Sequence, residues 1–209
     1  MADPPTHRPS TPAHTGSSWD GAYREGAAPW DTGRPSTELA RTLEEEGVPA
    51  GRAVELGCGT GTNAVYLARA GFEVTGIDLS SVAVAAAQAR AAAAAVTVRF
   101  LAGDLLDPPP LGGPFDFVFD RGCYHVLRSV DVDRFLGTVE ALVRPGSQGL
   151  FLTGNALEPT AGPPVVSEAE LRAELGRLFD IVRLREFRFD LRAGPFGQPL
   201  GWSCFVRRA

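Results

Sequence analysis

The sequence predicts an α/β fold: a mostly parallel sheet of seven strands with an antiparallel last strand, and helices on both faces. Three observations predict it. Short apolar runs alternate with helix-length segments through most of the chain. Four of those runs lead to acids, Glu55, Asp78, Asp104 and Asp120. The last two runs have no helical segment between them, so they pair antiparallel and are expected at the sheet edge.

Met1 to Ser18 is rich in Pro, Thr, Ser and His and lacks the apolar core of a secretion signal, so it reads as a disordered tail. Residues 19–209 read as one domain, because 209 residues lie below the roughly 250 at which a single core splits. Within it, 19–47 mixes aromatics with Gly and Pro, then forms an amphipathic helix from Ser36 through Leu39 and Leu43 to Glu44–Glu46. That stretch reads as a segment covering the site. Ala53–Leu56 is the first strand, followed by a helix through Ala64, Leu67 and Ala68 that stops at Gly71. Phe72–Ile77 is the second strand, and Ser80 or Ser81 caps an Ala-rich helix of high propensity over 82–95. Val96–Leu101 is the third strand, 107–114 a Pro/Gly loop, and Phe115–Phe119 the fourth strand. A helix capped near Asp131 passes Phe135, Val139 and Leu142 to the Pro145-Gly146 turn, before a fifth strand over Gly149–Thr153. Ser167-Glu-Ala-Glu170 is a capping-box pattern opening a helix to about Leu178. Phe179–Arg188 and Leu200–Val206 are the last strands, joined by a Gly/Pro loop over 192–199.

Composition narrows the functions. The formal charge is −5 and all 20 basic residues are Arg. Without Lys there is no Schiff-base chemistry, and the acidic balance argues against a nucleic acid partner. No apolar stretch nears the roughly 20 residues that span a bilayer, so no membrane partner and a cytoplasmic location are expected. Abundant Ala, Arg, Gly and Pro fit a GC-rich bacterial genome. Cys58, Cys123 and Cys204 lack the short paired spacing of metal sites, so reduced thiols and no metal are expected.

Residues 53–61, Ala-Val-Glu-Leu-Gly-Cys-Gly-Thr-Gly, carry the chemistry. A strand ends in Glu55, and Gly57, Gly59 and Gly61 then let a ligand lie against bare backbone beside a helix start with unpaired N–H groups. Asp78 follows the first glycine by about 20 residues, the spacing at which nucleotide-binding folds hold ribose hydroxyls. A dinucleotide site spaces its glycines G-x-G-x-x-G, whereas here they run G-x-G-x-G after an acid. That acid repels a diphosphate by on the order of a kcal/mol and welcomes an ammonium. A phosphate-free ligand with a ribose and an amino-acid end fits, and S-adenosylmethionine is such a ligand.

Over residues 53–153 the chain resembles the class I S-adenosylmethionine-dependent methyltransferases, with their Rossmann-like sheet. The resemblance implies that the loop Gly57, Cys58, Gly59 and Gly61, with Asn63, holds the methionine part and that Glu55 organises it. It implies ribose contacts from Asp78, adenine cover from Leu79, an adenine contact from Asp104 with Leu105, and a loop-opening role for Asp120. Tyr23-Arg-Glu-Gly-Ala-Ala-Pro-Trp30-Asp31 and Asp120-Arg-Gly-Cys-Tyr-His125 are similar to the small-molecule branch containing thiopurine, halide/thiol and tellurite-resistance methyltransferases. There the Pro-Trp-Asp segment folds over the cofactor, which implies that Trp30 faces the sulfonium. The spent cofactor is S-adenosylhomocysteine.

His125 lies just past the fourth strand and is the first candidate base or acceptor contact, with a structural hydrogen bond as its other reading. Tyr23 and Tyr124 are further catalytic candidates, and Arg34, Arg121 and Cys123 are candidate acceptor contacts. The lack of an added cap domain and of an Asn-Pro-Pro-Tyr signature favours a small acceptor. Transfer to a thiol or other soft nucleophile is the leading reading. A natural-product or heterocycle O- or N-methyltransferase is the second, and a cofactor-binding module without methyl transfer the third. A monomer or homodimer is expected.

Overall fold

The computed structural model describes residues 16–158, 164–192 and 197–209. Residues 1–15 of the expected tail, 159–163, and 193–196 of the expected Gly/Pro loop lie outside it. Helices α1 (Gly16–Arg24) and α2 (Thr37–Glu45) precede β1 (Arg52–Leu56), α3 (Thr62–Arg69), β2 (Glu73–Asp78), α4 (Ser81–Ala93) and β3 (Val98–Ala102). Then come β4 (Phe115–Arg121), α5 (Tyr124–Leu142), β5 (Val143–Asn155), β6 (Val165–Val166), α6 (Glu168–Leu175), β7 (Asp180–Arg188) and β8 (Leu200–Arg207).

The strand order is β3-β2-β1-β4-β5-β8-β7, with the two-residue β6 pairing beside β5. Strands β1 to β5 pair in parallel, and β8 runs antiparallel to both β5 and β7. The expected seven-stranded sheet is present, with β6 added. Its antiparallel pair lies at one edge, but the last strand is inserted between β5 and β7 and β7 is outermost. The order reverses between β1 and β4, and ligands in such sheets sit in the crevice beyond the strand ends at that point. Leu56 there stands opposite Asp120 on one side and Ile77 on the other.

Burial on both faces explains why the central strands are apolar runs rather than alternating ones. Val54, Leu56, Phe151 and Trp202 pack on one face against Phe135 of α5 and Leu171 of α6. Ala53, Phe117, Leu150 and Phe205 pack on the other against Leu39 of α2, Val65 of α3 and Val84 of α4. Each large side chain buried this way contributes about 1.5–3 kcal/mol. Ser36, Ser80 and Ser167 cap their helices through side-chain bonds to Leu39, Ala83 and Glu170, and Ser167 with Glu170 closes a capping box.

Two differences from the sequence reading bear on the site. Gly16–Ser18, expected within the tail, start α1. Helix α5 begins at Tyr124, ahead of the expected cap, and is broken at Asp131 (φ −158°, ψ 94°), whose Oδ1 accepts the Arg134 N–H at 3.0 Å. Asp131 is therefore a cap inside a kinked helix. The first half of that helix has its cap in Asp120, at the end of the preceding strand.

Candidate active site

β1 delivers Glu55 to the rim and stops because the next turn bends back on itself. Gly57, Gly59 and Gly61 have φ of 65°, 52° and 77°, in the left-handed region that side chains disfavour. A Cβ on Gly59 would sit 2.9 Å from the Tyr23 hydroxyl, and one on Gly61 2.7 Å from the Ala87 Cβ. The first glycine of this pair gives the loop a bare face toward the N-terminal segment, and the second lets α3 seat against α4.

Glu55 is 2% exposed. Its Oε1 accepts from Asn63 Nδ2 at 3.1 Å, while its Oε2 is buried with no partner among the described residues. Burial pushes its carboxyl up to about 8, against the opposing pull of the Asn63 amide. Asn63 is itself held, its Oδ1 accepting the Ser36 N–H at 2.9 Å. Asp78 ends β2 and accepts the Gly59 N–H on Oδ2 and the Ser80 N–H on Oδ1, both at 2.8 Å. Burial raises its carboxyl and these two N–H groups oppose the rise.

The N-terminal segment closes over this loop. Asp20 of α1 accepts from the Ser80 hydroxyl at 2.6 Å and from the Val82 N–H at 3.3 Å, so α1 docks on the start of α4. Trp30 donates from Nε1 to the Tyr23 oxygen at 3.2 Å and stands edge-on to Trp19, ring centroids 5.7 Å apart. The Thr60 hydroxyl donates to Asp31 at 2.9 Å, and Arg90 donates to the Thr60 carbonyl at 2.8 Å. Arg121 donates to the main-chain oxygens of Trp30 at 3.1 Å and Asp190 at 2.6 Å, with its guanidinium 5.5 Å from the Phe189 ring centre. It thus straps the segment to the end of β4 and to the stretch after β7.

Glu55, the three glycines, Asn63, Asp78, Tyr23, Trp30 and Arg121 come together at one rim, and other expected residues do not. Asp120 is fully buried and accepts the N–H groups of Tyr124 at 2.8 Å and Cys123 at 3.2 Å. Burial raises its carboxyl to about 7. It caps α5, and its oxygens are not offered to a cofactor. Tyr124 is also fully buried, its ring 5.7 Å from Phe135, and its hydroxyl donates to Glu174 at 2.6 Å beside Arg128. It belongs to the core under α6, which corrects its candidacy as a catalytic group. Leu105 turns its side chain into the core, so only its main chain is available to a ligand, and its carbonyl accepts the Thr138 hydroxyl at 2.8 Å. Asp104 accepts the Leu106 N–H at 2.8 Å. Leu79 is half-buried, with α1 starting against its carbonyl.

The Cys58 side chain is buried in the core, so only its main chain is available to a ligand, and burial holds its thiol well above the usual range. Cys123 lies against Gly57, a Cβ there being 2.8 Å from its own, and its thiol is likewise raised by burial and by the charges of Asp120 and Asp78. Arg34 stays exposed, with its main chain tied to Thr32, and is not gathered with Arg121. Burial raises the Tyr23 hydroxyl far above its ordinary range, with the Asp78 charge adding to the effect. His125 is 5% exposed, and its Nδ1 accepts the Gly154 N–H at 3.0 Å. Burial lowers its imidazole to about 4, with help from the charges of Arg121 and Arg128.

Sequence reasoning missed Asp20, Thr60 and Arg90 as organisers of the rim. Only Asp31, next to Trp30, carried a signal, as part of the Pro-Trp-Asp segment.

The donor set fits the cofactor that the sequence implied. A buried carboxylate oxygen without a partner stands on the strand that leads into a loop of bare backbone, which suits a cationic amino-acid end, and no cluster of His, Cys, Asp or Glu able to hold a metal is found among the described residues. Residues 53–146 match a family described as a methyltransferase domain. The chain is 31% identical over 157 residues to the probable thiol methyltransferase 2 of Arabidopsis thaliana, covering 73% of this chain and 69% of that one. It is similar to a solved structure concerned with the conversion of a disulfide bond into a thioacetal group during echinomycin biosynthesis, at 25% identity and a TM-score of 0.79 over 93% of both chains. It also shares the fold of the Burkholderia thailandensis 1,6-didemethyltoxoflavin-N1-methyltransferase, solved with S-adenosylhomocysteine, at 22% identity and a TM-score of 0.75 over 100% of this chain and 93% of that one. Sheet order, strand-end acid and glycine turn agree with these likenesses, and the chain belongs to the class I S-adenosylmethionine-dependent methyltransferases, the small-molecule enzymes among them.

Proposed function

We propose that this methyltransferase acts on a thiol or another small soft nucleophile. The observation that carries the reading is that His125, Asp120 and Tyr23, the groups considered as a base for the acceptor, are each already committed. His125 has its Nδ1 on a backbone N–H, Asp120 caps a helix, and the Tyr23 hydroxyl is held protonated. An aliphatic alcohol needs a base, whereas a thiol of pKa near 8.5 is partly ionised at neutral pH. The likenesses to a thiol methyltransferase and to a structure concerned with disulfide chemistry support the same acceptor class.

When bound, S-adenosylmethionine supplies a methyl on a sulfonium with a neutral leaving group. We assign its holding to Glu55, to the backbone of Gly57–Gly61 and to Asp78. Trp30 offers an aromatic face to a cation, an attraction of about 0.5–2 kcal/mol. Tyr23 and the segment around it lie over the glycine loop, and aligning the nucleophile, methyl and sulfur there can contribute about 7 kcal/mol or more.

The test is an acceptor screen of thiols, selenols, iodide and phenols read by homocysteine release. Turnover of thiols or selenols is expected. Activity confined to phenols or amines would replace this reading with an O- or N-methyltransferase acting on a natural product or heterocycle.

A further inference from the structure

We infer that His125 meets the acceptor as a neutral hydrogen-bond donor through Nε2, and that it does not take the acceptor's proton; this rests on the methyl-transfer reading above. The reason is geometric. Gly154 follows Leu152 in β5, and Leu152 is the last β5 residue paired with β4, opposite Arg121. Its carbonyl still accepts the Gly122 N–H at 2.9 Å. Beyond that point β4 has ended, while β5 stays in the sheet with Gly154 opposite Gly201 of β8 and Val165 of β6, and the His125 ring takes the Gly154 N–H on Nδ1 at 3.0 Å.

A backbone N–H can only donate, so Nδ1 carries the lone pair and the proton of the neutral ring is on Nε2. A ring so fixed has no lone pair at Nε2 with which to accept a proton. It can offer only an N–H there. The cations facing it, Arg121 from β4 and Arg128 from α5, both oppose a second proton on the ring.

That N–H is available. Nε2 makes no hydrogen bond among the described residues, yet it is not one of the buried side-chain atoms enclosed without a partner. It lies 3.4 Å from where a Gly122 Cβ would be, in the turn that follows Arg121 at the C-terminal end of β4. A donor at that position selects the ionised acceptor over the protonated one, the reverse of what a general base does. The substrate class follows: acceptors that reach the site already deprotonated, with the rate following their own pKa.

The first arm of the test is acceptor-independent. Nitrogen NMR on the whole chain reads the tautomer directly, and only His7 and His14 add imidazole signals. A protonated Nε2 and an unprotonated Nδ1 from pH 6 to 8 are expected, and the opposite tautomer overturns the inference. The second arm uses His125→Asn, which keeps an acceptor near the Nδ1 position and removes the donor from the Nε2 position. His125→Gln, whose longer side-chain amide carries an N–H out toward the Nε2 position, should keep more activity than the Asn variant, and both are scored only in folded protein. With a thiol acceptor, kcat/KM is expected to drop about tenfold or more at unchanged S-adenosylhomocysteine affinity, as for loss of a hydrogen bond to a charged group. The pH profile should keep the acceptor's own midpoint. Unchanged kcat/KM, or a wild-type inflection between pH 5 and 8 that vanishes in the variant, overturns the donor role. If the wild type methylates no thiol at all, the sulfur reading falls separately, and the tautomer in the same sample still decides whether His125 can be a base.

Discussion

Replacing Glu55 with Gln tests the central contact of the site. The carboxyl rises from 4.5 to about 8 because it is buried, against the opposing pull of the Asn63 amide and the Ala64 N–H. Ionising it in place therefore costs up to about 5 kcal/mol. At pH 7 a group of that midpoint is about nine-tenths protonated, and a cationic ligand facing Oε2 favours its ionised form. Cofactor binding should accordingly release close to one proton. Calorimetry with S-adenosylhomocysteine at pH 7, in two buffers of different ionisation heat, reads that number. Wild type is expected to show the release, and Glu55→Gln to show no buffer dependence with Kd weakened about 10- to 100-fold, or ~1.4–3 kcal/mol. No release by wild type, or an unchanged Kd in the variant, would refute the assignment of this carboxylate to the cofactor's cationic end.

Three further outcomes are expected. Glu55 and Asp120 hold protons more tightly folded, to about 8 and about 7, than their ordinary 4.5 and 3.8, so over those ranges the folded state carries more protons and stability falls as pH rises. His125, lowered from 6.5 to about 4, acts in the opposite direction below pH 6.5; two acids outweigh it, and the ligand-free Tm should fall from pH 5 to 8 in a scanning melt. Asp120→Ala removes the cap of α5 and should cost about 2 kcal/mol in urea unfolding while leaving the Kd of folded protein unaltered. Gly61→Ala puts a Cβ 2.7 Å from the Ala87 Cβ at a φ of 77° and should lower stability by about 1–3 kcal/mol, read in the same way.

The architecture was legible wherever local chemistry and sheet topology agree. Ser36, Ser80 and Ser167 announce their helices because a capping hydroxyl works over three residues, and Glu55 and Asp78 announce the rim because they interrupt apolar runs. What sequence did not disclose depends on partners distant in the chain. Tyr124 and His125 are neighbours just after β4, yet one hydroxyl reaches Glu174 in the core while the adjacent imidazole accepts the Gly154 N–H of β5. Asp120 looks like any other strand-end acid until the course of the backbone after it is known, and then its oxygens are seen to serve two N–H groups a turn away. Arg121 carries no sign in sequence that it would bind carbonyls of Trp30 and Asp190 rather than an acceptor.

Because β8 runs against its neighbours, Arg207 stands opposite Asp180, where β7 begins, and Gln148, where β5 enters its pairing with β8. The chain thus exits on the far side of the sheet from its acid-lined mouth. An affinity handle or surface tether joined after Ala209 leaves that mouth facing solution, whereas one placed directly before α1 would arrive beside Leu79, whose carbonyl lies 3.4 Å from where a Gly16 Cβ would be.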